Sequence, residues 1–123
     1  MEFARRFEDL DVWRKGCQLA SEVFKLADDG KLGRNFILRD QICSSALSVP
    51  SNVAEGFERD SRKAFISFLK IAKGSSGELR TQIYIAAKRG YLERKKAMEL
   101  VANAKEISRM LSGLAQSLKA ESK

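Results

Sequence analysis

The feature that most constrains the fold is an unbroken alternation of three- and four-residue steps between apolar residues near the C-terminal end. These positions are Ala97, Leu100, Ala104, Ile107, Leu111, Leu114 and Leu118. Such spacing keeps the apolar side chains on one face of an α-helix, whereas a half-buried strand would alternate every second residue. The pattern therefore predicts a long amphipathic helix over about 93–119.

Three earlier segments have the same period, which predicts further helices over about 10–28, 35–57 and 61–89. Asp9 or Asp11 is expected to cap the first helix, Asp60 or Ser61 the third, and the polar stretch ending at Arg34 is expected to be a loop. The later connections are only a few residues long, which favours antiparallel neighbours. The 123 residues therefore predict one all-α domain over 1–123, an antiparallel up-down-up-down four-helix bundle.

Pro50 and a glycine-serine segment interrupt otherwise regular helical patterns. Pro50 removes one hydrogen bond and presses on the carbonyl of Ala46, so a kink is expected in the second helix, with Asn52 or Glu55 bonded to backbone or to a neighbouring helix. No strand pattern precedes the segment 74–77, Gly-Ser-Ser-Gly, as a phosphate-binding loop would require. Its small residues are instead expected to admit a neighbouring helix.

The sequence lacks the residues that most enzymes need. It contains no histidine, the commonest general base and zinc ligand, and no nucleotide-binding or nucleophile motif. The two cysteines, Cys17 and Cys43, are interpreted as reduced packing residues. We predict no catalytic residue, metal or cofactor. Without a signal-like start or a run of 18 apolar residues, a cytoplasmic protein with no membrane partner is expected.

Positive charge is concentrated in the third helical segment. The net charge is +7, and residues 61–90 hold seven basic residues but one acidic residue, Glu78. At about 100° per residue, five basic residues share an arc of about a quarter turn that excludes Glu78. They are Lys63, Lys70, Lys73, Arg80 and Lys88. This arc predicts binding to RNA or DNA phosphates, and because the aromatic residues are expected in the core, no base-stacking platform is predicted.

Several motifs resemble one known family. They are Phe7-Glu-Asp-Leu-Asp-Val-Trp13, Ser48-Val-Pro-Ser-Asn-Val-Ala-Glu-Gly56, Ile71-Ala-Lys-Gly-Ser-Ser-Gly-Glu-Leu79 and Gly90-Tyr-Leu92. The chain resembles bacterial four-helix bundle proteins first known as products of intervening sequences in large-subunit ribosomal RNA genes. That family is similar in fold to the accessory variability determinant of diversity-generating retroelements. The resemblance marks Pro50, Asn52, Glu55 and Gly56 as a signature without assigning their task.

The resemblance also implies a homopentamer with a central channel. For the retroelement relatives it implies binding to a reverse transcriptase and its RNA through a basic surface. Two functions therefore stay open for this chain. The first is a non-enzymatic, oligomeric, nucleic-acid-binding accessory protein, and the alternative is a homo-oligomeric protein scaffold with no nucleic-acid ligand.

Overall fold

The computed structural model describes residues 4–28 and 30–121, and within those residues it contains helices and no strand. A short 3-10 turn, Phe7–Asp9, precedes five α-helices. They are α1 (Asp11–Ala27), α2 (Gly30–Arg34), α3 (Phe36–Glu58), α4 (Arg62–Lys88) and α5 (Arg94–Glu121). The prediction of an all-α chain is confirmed.

The four long helices pack around one apolar core. Helices α1 and α4 each pack against both α3 and α5, so every long helix has two long neighbours. The core contains large side chains that are at most 2% exposed, among them Phe65, Leu69, Leu79, Ile83, Leu100, Ile107 and Leu111. These residues occupy the stripes that the three-four spacing predicts, because a bundle helix stabilises itself by burying one face.

Buried serines connect the faces of the long helices. Ser76 on α4 donates a hydrogen bond of 3.0 Å to the carbonyl of Ala104, and Ser108 on α5 donates one of 2.8 Å to Ser76. On the other side of α4, the hydroxyls of Ser48 and Ser75 lie 2.8 Å apart. Since an unpaired buried hydroxyl is destabilising, these bonds favour one register of α4 against α3 and α5.

The ends of the helices correct the sequence predictions in two places. The stretch expected to be a loop before Arg34 contains α2, where Leu32 is buried at 1% exposure. Neither Asp9 nor Asp11 caps α1, because Leu10 holds that position without a side-chain bond. The expected cap of α4 is confirmed, since Ser61 accepts from the amide of Ala64.

Glycines permit close packing at places other than the predicted one. A Cβ built at Gly56 would lie 2.6 Å from the Cβ of Phe68 on α4, and one at Gly16 would lie 3.3 Å from the Cβ of Pro50. At Gly74 such a Cβ would meet no atom within 4 Å, among the residues described. The prediction that the glycines of the segment 74–77 admit a neighbouring helix is therefore wrong among the residues described. The two serines of that segment, Ser75 and Ser76, are buried.

Helix α3 continues through Pro50 from Phe36 to Glu58, and a kink there stays a prediction. Phe24 of α1 is 42% exposed, although it lies at helical spacing from the buried Ala20 and Ala27. In the parts of the chain that the structure describes, no helix combines the length and the hydropathy that crossing a bilayer would require.

Candidate nucleic-acid interface

The five predicted basic residues extend along the whole of α4. Lys63 lies in the first turn and Lys88 at the last residue, which places them about 38 Å apart at 1.5 Å per residue. The four lysines are exposed, whereas Arg80 is partly buried. The structure brings three of the five, Lys70, Lys73 and Arg80, to the side of α4 that faces α5.

One groove between α4 and α5 has an apolar floor and a cationic rim. Its volume is about 250 Å³. The floor consists of Ile66 and Leu69 from α4 with Leu111 and Ala115 from α5. The lysines that line it are Lys70, Lys73 and Lys119. Such a groove suits a ligand that combines anionic groups with an apolar surface.

A second, more polar groove adjoins the first. Its volume is about 470 Å³, and Lys73 and Ser112 line both grooves. Arg80 of α4 and Lys105 and Arg109 of α5 supply its other charged side chains. No acidic residue is among the described residues that line either groove. The two grooves thus gather six basic side chains along the α4–α5 side of the bundle, which we call the basic cleft.

One acidic residue of α5, Glu106, is directed away from the basic cleft. Glu106 lies on the α1 side, where its carboxylate accepts a hydrogen bond of 2.5 Å from Lys15. This bond, together with the charge of Lys15, holds the pKa of Glu106 below its usual range. Within residues 4–28 and 30–121, Lys70, Lys73 and Lys105 form no ion pair with an acidic side chain. The charges of these three lysines are therefore not neutralised by an ion pair among the described residues.

Arg80 has an unsatisfied donor at the edge of the basic cleft. Its Nε is buried and lacks a hydrogen-bond partner among the described residues. One of its terminal nitrogens lies 3.7 Å from where a Cβ on Gly77 would be. The buried Nε is itself closed to an outside ligand, so an anion would contact this guanidinium through its terminal nitrogens.

Three basic residues that α5 contributes were not predicted from the sequence, namely Lys105, Arg109 and Lys119. A signal existed, since positions 105, 109, 112, 116 and 119 recur at helical spacing next to the core stripe of α5. The expectation that no exposed aromatic residue accompanies the basic arc is also wrong. Tyr84 is 45% exposed and lies between Arg80 and Lys88, four residues from each.

The signature residues lie on α3, away from the basic cleft, and their contacts are structural. Pro50 packs against Gly16, and Gly56 against Phe68. Asn52 donates hydrogen bonds of 2.8 Å to both the carbonyl and the hydroxyl of Ser48. The expectation that Asn52 is bonded to backbone is supported by these bonds. The carbonyl that it contacts belongs to Ser48, whereas the carbonyl that loses its helical hydrogen bond to Pro50 belongs to Ala46.

Glu55, the remaining signature residue, is exposed and accepts a hydrogen bond of 2.8 Å from Arg59, one turn further along α3.

Burial raises the pKa of the thiols of Cys17 and Cys43, which favours their protonated, unreactive form. In the described ranges, no three histidine, cysteine or acidic residues are grouped as metal ligands. The prediction that the chain needs no metal or cofactor stays a prediction.

Comparison with known proteins supports the family resemblance. The model of a family described as 23S rRNA-intervening sequence protein matches residues 8–113. The fold is similar to the crystal structure of a protein of unknown function from the S23 ribosomal protein family of Bacteroides thetaiotaomicron, with a TM-score of 0.77 and 22% identity. That similarity covers 85% of this chain and 97% of the other. The search of curated proteins gives no match.

Proposed function

The chain belongs to the 23S rRNA-intervening sequence protein family, and we propose that it is a non-enzymatic accessory protein that binds RNA phosphates through the basic cleft. The observation that carries this proposal is the cleft itself, where six basic side chains from α4 and α5 meet without an acidic residue among the described lining. Like charges gathered on one surface repel one another, so a surface of this kind favours an anionic partner.

Phosphate contacts would give binding that depends strongly on salt and weakly on sequence. Each phosphate that a lysine or arginine neutralises releases condensed counterions, which contributes about 0.7 to 0.9 to the slope of log affinity against log salt. The length of α4, with Lys63 and Lys88 at its two ends, allows a strand to contact several cations at once. DNA phosphates would meet the same side chains.

The proposal includes the arrangement and assembly of the helices. Lys15 of α1 pairs with Glu106 of α5, and Glu22, further along α1, lies 3.5 Å from Lys96, which comes before Glu106 in α5. Helices α1 and α5 therefore run antiparallel, and we infer an up-down-up-down bundle. The proposal keeps the bend that the proline ring predicts at Pro50 and the cytoplasmic location that the sequence predicts. The family resemblance adds a homopentamer, and the likeness to the retroelement relatives adds a reverse transcriptase as a protein partner. A ring of five copies would multiply the positive field of one basic cleft.

The decisive experiment replaces Lys70 and Lys73 with alanine and measures RNA affinity across a series of salt concentrations. Removing two phosphate contacts should lower the steepness of log affinity against log salt by about one to two. Both lysines are exposed, so the variant should keep its helical circular dichroism. Lys25→Ala/Lys95→Ala removes the same charge outside the basic cleft and serves as the control. An unchanged affinity and slope in the Lys70/Lys73 variant would refute the proposal.

A protein scaffold is the second candidate, favoured by apolar side chains on the outside of α3. Phe36 is 64% exposed, Ile37 82% and Leu47 52%. A contiguous exposed apolar patch is typical of protein interfaces, and these side chains are the ones on α3 that could contribute to it. Light scattering that shows an oligomer, together with no RNA binding at low salt, would favour the scaffold over the accessory protein.

A further inference from the structure

Tyr84 introduces an aromatic ring into the basic face of α4. It follows Arg80 by one turn and precedes Lys88 by one turn. Each of these four-residue steps rotates the side-chain direction by only about 40° and raises it by about 6 Å. With 45% of its surface exposed, Tyr84 is accessible to a ligand. An exposed tyrosine between two cations combines a stacking surface with phosphate-binding groups.

The backbone of α4 beside this ring is unusually open. Gly74 and Gly77 lie in the interior of the helix, where glycine is unfavourable relative to alanine. Packing within the described chain does not account for them, since a Cβ at Gly74 would meet nothing within 4 Å and one at Gly77 only the guanidinium of Arg80 at 3.7 Å. The missing side chains leave room for an external strand to approach between Lys73 and Tyr84.

We propose that the ligand of this face is single-stranded nucleic acid, with an unpaired base stacked on Tyr84 and its neighbouring phosphates held by Lys73, Arg80 and Lys88. This inference rests on the proposed function and specifies its ligand class. A duplex keeps its bases stacked inside, so the outer face of a helix such as α4 would meet only its phosphates, and Tyr84 would contribute little. Only an unstacked base uses both the ring and the cations.

The test compares Tyr84→Leu with the parent protein in fluorescence anisotropy titrations. The probes are labelled oligouridylate and oligoadenylate of about twelve nucleotides, within the range of site sizes known for single-strand binders, and an RNA duplex of equal length. Loss of one stacked base should weaken single-strand binding by at least about fivefold. The slope against salt should be unchanged because no phosphate contact is lost. Duplex affinity should stay within about twofold of the parent.

Three matched variants separate stacking from other effects. Tyr84→Phe keeps the ring and should bind like the parent protein. Phe24→Leu removes an aromatic ring of similar exposure, 42%, on α1 and should have no effect. Tyr84→Gln provides a second variant without the ring if leucine disturbs the fold. Leucine and glutamine are both good helix formers, so each should preserve α4.

The outcomes distinguish this inference from the proposed function. If Lys70→Ala/Lys73→Ala weakens RNA binding but Tyr84→Leu does not, the single-strand inference is wrong and phosphate binding remains. Equal losses for single strand and duplex in Tyr84→Leu would also overturn it, because stacking requires unpaired bases. If the parent protein binds none of the probes at low salt, both proposals are wrong. Competition by polyglutamate as effective as that by oligouridylate would indicate selection of charge alone and refute the inference.

Discussion

Replacing Gly56 with alanine tests the packing that gives the signature segment its structural role. The added Cβ would lie 2.6 Å from the Cβ of Phe68 and 3.1 Å from a ring carbon of Phe65. A well-packed core loses about 1 to 3 kcal/mol when a methyl group is forced into it. Alanine regains about 1 kcal/mol of helix propensity over glycine. The closest obstacle is a Cβ, which moves only with its backbone, so we expect a net loss of about 1 to 2 kcal/mol.

The loss can be measured by urea denaturation followed by circular dichroism. With a dependence of about 2 kcal/mol per molar urea, the middle of the range for a small protein, the midpoint of Gly56→Ala should fall by about 0.5 to 1 M. The control is Gly74→Ala, where the added methyl group enters open space. That variant should be more stable than the parent, by up to about 1 kcal/mol.

Opposite signs for the two glycines are the essential result. A midpoint for Gly56→Ala equal to or above that of the parent would show that α3 and α4 are not in the contact described. The double variant Gly56→Ala/Phe68→Ala refines the test. Alanine at 68 retains the obstructing Cβ, so trimming the ring should not restore the stability that the first change removes.

Two further changes probe polar contacts of the bundle. Asn52→Ala removes two hydrogen bonds to Ser48 and should lower the free energy of unfolding by about 0.5 to 1.5 kcal/mol in the same urea assay. An unchanged urea midpoint would show that these two bonds do not stabilise the folded protein. The pKa of Glu106 is lower in the folded protein than in the unfolded chain, where it is about 4.3. The ionised carboxylate therefore stabilises the folded protein at pH values above about 4.3, and this stabilisation is lost as the pH falls through the pKa of the folded state. Between neutral pH and about pH 3, the urea midpoint of the parent protein should therefore fall by more than that of Lys15→Met. Equal falls would show that Lys15 does not lower the pKa of Glu106.

The long helices could be predicted because each carries many turns of one pattern. The spacing predicts 61–89 and 93–119 where the structure has Arg62–Lys88 and Arg94–Glu121. Helix α2 could not be predicted in this way, since five residues complete little more than one turn. Its two glycines, Gly30 and Gly33, are poor helix formers, and burial of Leu32 in the core compensates for them.

The candidate site was predictable only on the helix that carries a continuous arc of one charge. The α4 residues Lys70, Lys73 and Arg80 share that arc in any helix with this sequence. Lys105 and Arg109 join them only because α5 turns that face toward α4, in the register that Ser76 and Ser108 favour. The sequence of α5 mixes acids and bases, and the assignment of Glu106 to the α1 side depends on Lys15, 91 residues earlier.

Glycines show the same limit, because a sequence does not reveal what an absent side chain makes room for. Gly16 and Gly56 are occupied from within, by Pro50 and Phe68, so their replacement acts on folding. Gly74 faces open space and Gly77 meets only the guanidinium of Arg80 among the described residues, so their replacement should act on whatever approaches from outside. The structure thereby gives one residue type a packing role on α1 and α3, and the proposal gives it a binding role on α4. Stability measurements can confirm the first role, and only affinity measurements can confirm the second.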